Sequence, residues 1–518
     1  MFLRKLSRKT WGFFETFVGP EDHWLPPDHY QENPVAVVSH RTSPTNMGLA
    51  LLANLSAYDF GYVSAGQLIE RTANALHTRR TLQRYRGHFF NWYDTRSLKP
   101  LTPRYVSTVD SGNLAASLLT LRSGLLAVAD DKILGARLFA GLSDTLAGLQ
   151  DVARGTSATR LAQLQNELAC LCESPPVTLT AARLNIEALM SSAANVIAAL
   201  GPGSDSEASR WASAFIGQCR AAGDELAFLA PWSALLTTLE WRSDCPELSN
   251  IPTLRELATL EVDVLTALEA STGPAELRSL ITQAGERART RISAIETLAQ
   301  QCGELACFEY DFLFDKTRHL LAIGYNVGES RRDSSFYDLL ASEARLSNFV
   351  GIAQGQLPQE SWFALGRLLT NSDGEPTLLS WSGSMFEYLM PLLVMPTYDN
   401  SLLDETYKAA VHGQIEYGKG RGVPWGISES GYNTTDVHLN YQYRAFGVPG
   451  QGLKRGLAED LVIAPYASAL AVMRRAATSG RPHHGPAAAP RPTSAGTDSA
   501  TASSNTPKAA FARSCGFM

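Results

Sequence analysis

The sequence contains no long apolar run and few charged residues, and each absence excludes a class of protein. No stretch approaches the roughly 18 consecutive apolar residues of a membrane-spanning helix, so we expect no direct membrane span. The first nine residues are basic and lead into aromatic residues without a cleavage pattern, so we expect no signal peptide and a soluble chain. Charged residues make up 19% of the chain and the formal net charge is −6. This mildly acidic balance argues against a nucleic-acid partner.

The sequence also lacks paired cysteines of the kind that bind metals. Its seven cysteines are an odd number and include no CxxC pair. Cys170 and Cys172 are two positions apart, so a helix cannot present both thiols on one face. We therefore expect reduced cysteines, as in cytosolic proteins, with no metal site and no cofactor.

Composition divides the 518 residues into four zones. Residues 1–128 and 305–475 mix helical patterns with loops rich in glycine and aromatic residues. Residues 129–304 are dominated by alanine and leucine at helical spacing, which predicts an inserted bundle of five or six helices without catalytic residue types. Residues 476–518 are mainly small residues and proline with little to bury, so we expect a disordered tail.

The overall pattern predicts an all-α fold. Ser43 and Pro44 are typical of a helix start, because a capping hydroxyl is followed by proline in the first turn. Residues 310–327 alternate in part like paired strands around Asp315, so a short β-hairpin is expected. Helices alternating with long polar and aromatic loops predict a toroid whose loops converge on one end. Further helices are predicted at 334–351, 359–369, 384–394, 402–418 and 464–475.

Two glutamates lie in the kind of sequence that glycoside chemistry uses. Glu387 follows Trp-Ser-Gly-Ser-Met-Phe, and Glu429 lies within Gly-Ile-Ser-Glu-Ser-Gly-Tyr. A pair of carboxyl groups can serve as proton donor and nucleophile at a glycosidic bond, while aromatic rings hold the sugar faces. We therefore take Glu387 and Glu429 as the candidate catalytic pair.

Each glutamate also has an interpretation without catalysis. Ser384 and Glu387 have the spacing of a capping box, in which the glutamate folds back onto the helix start. In the catalytic interpretation, the helix dipole would keep the Glu387 carboxylate ionised, as a nucleophile must be. Glu429 could be a solvated loop carboxylate, or Trp425 and Tyr432 could desolvate it and raise its pKa, as a general acid needs.

Several other residues are candidates for contacting a sugar. Asp110 precedes a helix and is equally a candidate N-cap. Arginines beside aromatic residues can bind sugar hydroxyls or brace loops. The candidate substrate-binding residues are Arg41, Asp94, Asp110, Trp381, Tyr388, Trp425, Tyr432 and Tyr441.

Four long motifs in a fixed order resemble one family. They are residues 89–96 (FFNWYDTR), 103–114 (PRYVSTVDSGNL), 381–387 (WSGSMFE) and 447–455 (GVPGQGLKR). Together they resemble the central region of the cyclic β-1,2-glucan synthases, and the similarity runs from about residue 11 to about residue 473.

The resemblance implies an activity for that central region. The family joins a polymerising glycosyltransferase, a phosphorylase-like module and, between them, a glucoamylase-like (α/α)6-type barrel that closes linear glucan into rings by retaining transglycosylation. The chain resembles only the middle part, so the implied substrate is β-1,2-glucan and the implied partners are other synthase modules. For the full-length family, the resemblance implies a location at the cytoplasmic face of the inner membrane.

The resemblance stops before the family's barrel ends, since it gives way to the tail after residue 473. We therefore expect an incomplete toroid, a fragment whose activity is reduced by the missing part. Two alternatives remain open. The chain could be a non-catalytic structural segment of a larger synthase, or it could be an endo-β-1,2-glucanase that uses water as the acceptor.

Overall fold

The computed structural model describes residues 2–153, 158–200, 207–237, 246–268, 275–372, 374–437 and 439–479. Most of the residues that the structure describes are helical, and the strands are short. The expected all-α class is therefore confirmed. No helix within the described ranges combines the length and apolar composition needed to cross a membrane.

The helices of the described residues are numbered in chain order. They are α1 (Phe2–Phe17), α2 (Pro44–Asp59), α3 (Ala65–Thr81), α4 (Thr108–Val128), α5 (Ala136–Val152), α6 (Ala158–Glu173), α7 (Leu179–Leu200), α8 (Glu207–Leu229), α9 (Leu254–Leu268), α10 (Ala275–Leu305), α11 (Ala344–Ala353), α12 (Glu360–Ala364), α13 (Met385–Leu389), α14 (Leu402–Arg421) and α15 (Pro465–Ser479).

The strands form small antiparallel pairs and one three-stranded sheet. They are β1 (Tyr30–Gln31), β2 (Val37–Val38), β3 (Arg41–Thr42), β4 (Arg84–Tyr85), β5 (His88–Phe89), β6 (Tyr93–Asp94), β7 (Tyr105–Ser107), β8 (Phe314–Asp315), β9 (Leu320–Leu321), β10 (Gly324–Asn326), β11 (Arg331–Arg332), β12 (Leu369–Ser372), β13 (Glu375–Leu378), β14 (Ser430–Thr435) and β15 (Tyr441–Arg444).

The first of two compact units comprises Met1–Pro27, His40–Leu313 and Gly324–Asp333. At its centre α4 packs against α2 and α10. Helix α2 begins where expected, because the Ser43 hydroxyl accepts a hydrogen bond from the backbone N–H of Asn46 at 3.1 Å. The three-stranded sheet, in the order β11-β10-β7, also belongs to this unit.

The alanine- and leucine-rich zone forms α5 to α10. Helix α8 packs against α5 and α7, and α6 lies against α5 and α7. Helix α10 is 31 residues long and contacts α9, α4 and α3, so it joins this zone to the helices before it. The described residues thus place zone 129–304 and most of zone 1–128 in one compact unit, whereas residues 28–39 belong to the second. The four zones stay a prediction of domain organisation.

The second compact unit comprises Asp28–Ser39, Phe314–Ile323 and Ser334–Met518. It contains the expected short hairpin, formed by β8 and β9, together with the hairpins β12–β13 and β14–β15. Helix α13 packs against α14 and α15. Beneath β14 and β15 lies a small core of Ile427, Phe446 and Val448.

The helices of the second unit differ in length from the predictions. The predicted helix 334–351 begins only at Ala344, and the predicted helix 384–394 becomes α13 followed by a 3-10 turn, Met390–Leu393. Helix α15 continues through positions 476–479, which were assigned to the tail. The remaining tail, 480–518, lies outside the described residues.

Candidate active site

Glu387 lies at the start of α13. The loop before it, residues 381–384, packs tightly against the 447–455 motif. The loop turns at Gly383, whose φ of +70° favours glycine. A side chain at Gly447 would lie 1.7 Å from the backbone oxygen of Ser382, so the 447–455 motif needs glycine for this close approach. Backbone hydrogen bonds from Leu453 to Ser380 (3.1 Å) and from Lys454 to Trp381 (2.8 Å) fasten the two motifs together.

The Glu387 carboxylate accepts hydrogen bonds from four donors. The backbone N–H and hydroxyl of Ser382 donate to Oε2 at 2.9 and 2.6 Å, and the backbone N–H of Ser384 donates at 3.4 Å. The backbone N–H of Ser342 donates to Oε1 at 3.1 Å. The capping box is present, and Glu387 is only 2% exposed. This carboxylate is therefore built into the local backbone, as the alternative interpretation predicted.

Glu429 has a different environment, half-buried at the end of the segment that leads into β14. Its Oε2 accepts a hydrogen bond from the Tyr443 hydroxyl, and the Tyr466 hydroxyl donates to its backbone oxygen at 2.8 Å. Burial, the largest effect, together with the negative charge of Glu387 raises the pKa of Glu429 to about 7, against the opposing effects of Tyr443 and Lys454. A carboxyl group of this kind can donate a proton near neutral pH.

The segments that carry the two predicted glutamates lie side by side. The backbone N–H of Met385 donates to the oxygen of Ile427 at 3.2 Å. The backbone N–H of Phe386 donates to Oγ of Ser428 at 3.0 Å, and the Tyr466 hydroxyl lies 2.9 Å from the same atom. The structure thus brings Glu387 and Glu429 into one hydrogen-bonded region of the second unit.

A third carboxylate, Glu343, belongs to the same region and was missed from the sequence. It is 4% exposed and immediately precedes α11. Burial raises the pKa of Tyr443 and of Tyr466, and the charges of Glu429 and Glu343 add to that rise. The charge of Glu343 therefore acts on the two phenols that contact Glu429. No local pattern predicted this, because Glu343 lies inside the segment 334–351, for which the spacing predicted a regular helix.

The predicted aromatic residues of the second unit divide into exposed and structural ones. Trp381 is 58% exposed beside the Glu387 loop, so its ring is open to a ligand. Tyr388 is fully buried, and its hydroxyl donates to the backbone oxygens of Leu378 and Gln451 at 3.0 and 2.8 Å as alternative acceptors. Tyr432 packs edge-on against Phe446, with ring centroids 5.2 Å apart.

Two further predicted aromatic residues are fixed through their backbones. The oxygen of Trp425 accepts a hydrogen bond from the Ser468 hydroxyl at 2.9 Å. The backbone N–H of Tyr441 donates to the side-chain oxygen of Gln31 at 2.7 Å. Both side chains are partly buried, and their contact with a sugar stays a prediction.

The other three predicted residues belong to the first unit. The Arg41 guanidinium lies over the Trp92 ring, 4.7 Å from its centroid. Asp94 closes a turn by accepting from the backbone N–H and hydroxyl of Ser97 at 2.7 and 2.8 Å, which lowers its pKa. The Asp110 carboxylate accepts from the Thr45 hydroxyl at 2.6 Å, and burial raises its pKa. Their role in substrate binding stays a prediction.

Comparison with known proteins bears on the same region. Residues 335–479 match the family model Glycoamylase, described as "Putative glucoamylase". The chain is 39% identical over 476 residues to the cyclic beta-(1,2)-glucan synthase NdvB of Rhizobium meliloti (strain 1021). The resemblance stated from the four motifs is confirmed. The match covers 91% of this chain but only 15% of NdvB, so the chain corresponds to one short segment of that relative.

Solved structures similar to this chain share little sequence with it. The endo-beta-1,2-glucanase from Chitinophaga pinensis is 10% identical, with 86% of this chain and 74% of that chain covered and a TM-score of 0.43. The putative glucoamylase from Bacteroides fragilis is 12% identical, with 92% and 80% covered and a TM-score of 0.41.

Proposed function

We propose that this chain acts on β-1,2-linked glucan as a retaining transglycosylase, the ring-closing region of a cyclic β-1,2-glucan synthase. The observation that carries the proposal is the environment of Glu429. A carboxyl group with a pKa near 7 lies in a cluster with two further carboxylates, within a segment that matches NdvB. Retaining glycoside chemistry needs one protonated and one ionised carboxyl group together.

Glu429 is the proposed acid/base. In the first step it gives its proton to the bridging oxygen while a carboxylate attacks the anomeric carbon, so the glycosidic bond breaks and a glycosyl-enzyme ester forms. In the second step a sugar hydroxyl attacks that carbon and loses its proton to Glu429, which releases the carboxylate. When the hydroxyl belongs to the same glucan chain, the product is a ring.

Two residues are candidates for the nucleophile, Glu387, which the sequence predicted, and Glu343. Three of the four donors around Glu387 come from its own loop to Oε2, and Ser342 donates to Oε1, so this carboxylate is fixed to the surrounding backbone. Glu343 is buried, and its charge raises the pKa of Tyr443 and of Tyr466, the phenols that contact Glu429. We therefore assign the nucleophile to Glu343. In that pairing the two carboxyl groups should approach to about 5–5.5 Å in the complex with glucan.

Aromatic rings beside the carboxylates would favour a sugar hydroxyl over water as the acceptor. Trp381, 58% exposed, and Tyr443, 48% exposed, offer faces on which pyranose rings can stack. Bound sugar over these rings would exclude water from the ester, which favours transfer over hydrolysis. Because the chain matches only one segment of the much longer NdvB, we expect it to work beside other synthase modules at the cytoplasmic face of the inner membrane.

The direct test is incubation of the purified chain with linear β-1,2-glucan, followed by product analysis. Cyclic products support the proposal. Linear oligosaccharides would instead indicate an endo-β-1,2-glucanase, and binding without turnover would indicate a non-catalytic segment. Glu429→Gln should lower turnover by about 100- to 10,000-fold, whereas Glu360→Gln, on the exposed start of α12, is the matched control.

Azide rescue assigns the two catalytic roles. Glu343→Gly with azide should yield a glycosyl azide of inverted anomeric configuration, because azide replaces the missing nucleophile. Glu429→Gly with azide should yield the retained configuration, because azide then attacks the ester. An inverted azide adduct from Glu387→Gly, and none from Glu343→Gly, would reverse our assignment.

A further inference from the structure

Ser342 adopts a backbone conformation that a non-glycine residue rarely holds. Its φ is +51°, in the left-handed region, and it directly precedes Glu343. This conformation persists in a non-glycine residue only where neighbouring groups hold it. Glu343, the N-cap of α11, makes no side-chain cap hydrogen bond, but its Oε2 accepts one from the Ser342 hydroxyl at 3.3 Å. The backbone and the hydroxyl of Ser342 therefore both influence where the Glu343 carboxylate lies.

Glu387 provides the group that holds Ser342. Its Oε1 accepts the Ser342 N–H at 3.1 Å, while its other oxygen is fixed by Ser382 and Ser384. The buried Arg345 strengthens the link, since its guanidinium donates to the backbone oxygens of Glu387 at 2.8 Å and of Tyr388 at 2.6 Å. The start of α13 is thus joined to the start of α11 by both a side chain and a backbone contact.

We propose that Glu387 is a positioning residue, which holds Ser342 in the left-handed conformation. It thereby orients Glu343 towards Glu429 and the two phenols that contact it. The inference rests on the proposed function for its effect on turnover, although the hydrogen bond that carries it is independent of any substrate. Glu387 is thus kept apart from the reacting atoms, and its effect passes through one backbone N–H.

The test uses glycine at position 342, which adopts positive φ without strain. Glu387→Gln should lower kcat by about 10- to 100-fold with little change in KM, because a displaced nucleophile harms the reaction more than binding. Adding Ser342→Gly should restore about tenfold of that loss. Adding Ser342→Ala, which also lacks the hydroxyl but keeps the side-chain strain, should restore nothing.

Glu387→Asp provides a second background, since it keeps the charge for Ser382 and Ser384 but is too short to reach Ser342. The same rescue by glycine and not by alanine is expected there, even if the Gln variant folds poorly. Failure of Ser342→Gly to restore activity in either background would overturn the positioning role.

Hydrogen exchange separates this inference from the proposed function. The Ser342 amide should be protected in the wild-type chain and exchange at least tenfold faster in the two Glu387 variants, whether or not glucan is turned over. Unchanged exchange would refute the inference. A wild-type chain that is inactive on β-1,2-glucan, yet shows the exchange difference, would refute only the proposed function.

Discussion

At the scale of single residues, Glu429 and Tyr443 determine how the site should respond to pH. The pKa of Glu429 is raised to about 7, so this carboxyl group keeps its proton below that pH and loses it above. A general acid must be protonated to work, so kcat/KM should fall as the pH rises through about 7. Measurement of kcat/KM from pH 5 to 9 checks this expectation.

The fall of kcat/KM with rising pH is the basic limb of the pH profile, and Tyr443→Phe tests whether the pKa of Glu429 causes it. The Tyr443 hydroxyl donates to Glu429 and so lowers its pKa, and its removal should move the limb to higher pH. The ratio of kcat/KM at pH 8 to that at pH 6 should therefore increase, although the maximal rate falls severalfold. Tyr398→Phe, on an exposed ring elsewhere in the second unit, should leave the profile unchanged. A limb that moves to lower pH would contradict the role given to the phenol.

At the scale of elements, the predictions from sequence succeeded where the signal was local. Ser43 and Pro44 correctly predicted the start of α2, because the capping hydroxyl and the first helical turn involve adjacent residues. The start of α11 was misplaced because Ser342, just before it, has a left-handed backbone, and its N–H donates to Glu387, 45 positions further along the chain. The same distant contact hid Glu343, whose place in the site depends on a turn that no local pattern shows.

A buried histidine beside α4 should make stability depend on pH. The ring of His88 lies 2.8 Å from Ser111 Oγ and from the backbone oxygen of Glu309, and burial lowers its pKa to about 4. The neutral ring is favoured by folding, so its contribution is complete above about pH 6.5 and is lost as the pH falls to 4. The loss should approach about 3 kcal/mol.

Urea unfolding at pH 7 and pH 4.5 measures this loss. His88→Gln should be less stable at pH 7 and should show a smaller fall in unfolding free energy between the two pH values. His412→Gln, at a half-exposed position, should keep the wild-type fall. An identical fall in wild type and His88→Gln would show that other groups cause the acid sensitivity.

At the scale of the whole molecule, the second unit is assembled from three separate stretches of the chain. The Gln31 side chain donates to the backbone oxygen of Leu439 at 2.8 Å and accepts from the backbone N–H of Tyr441 at 2.7 Å. An early residue therefore supports the hairpin that carries Tyr443. The composition zones could not show this, because they follow the order of the sequence and these contacts do not.

Gln31→Ala should therefore weaken the site from a distant position in the sequence. Loss of the hydrogen bonds of this buried side chain should cost about 1–3 kcal/mol. Turnover of β-1,2-glucan should fall, and protease cleavage within 430–444 should become faster. Glu32→Ala, at the neighbouring exposed position, is the control. Equal cleavage rates in the two variants would contradict the supporting role of Gln31.

The hydrogen bond between Gln31 and Tyr441 also limits how early the second unit can fold during synthesis. The two residues are 410 positions apart in the chain, and ribosomes add about 5–20 residues per second. Gln31 is therefore synthesised about 20–80 s before Tyr441. The first unit has time to fold in that interval, whereas the Glu429 site cannot form until the hairpin that carries Tyr443 has been synthesised.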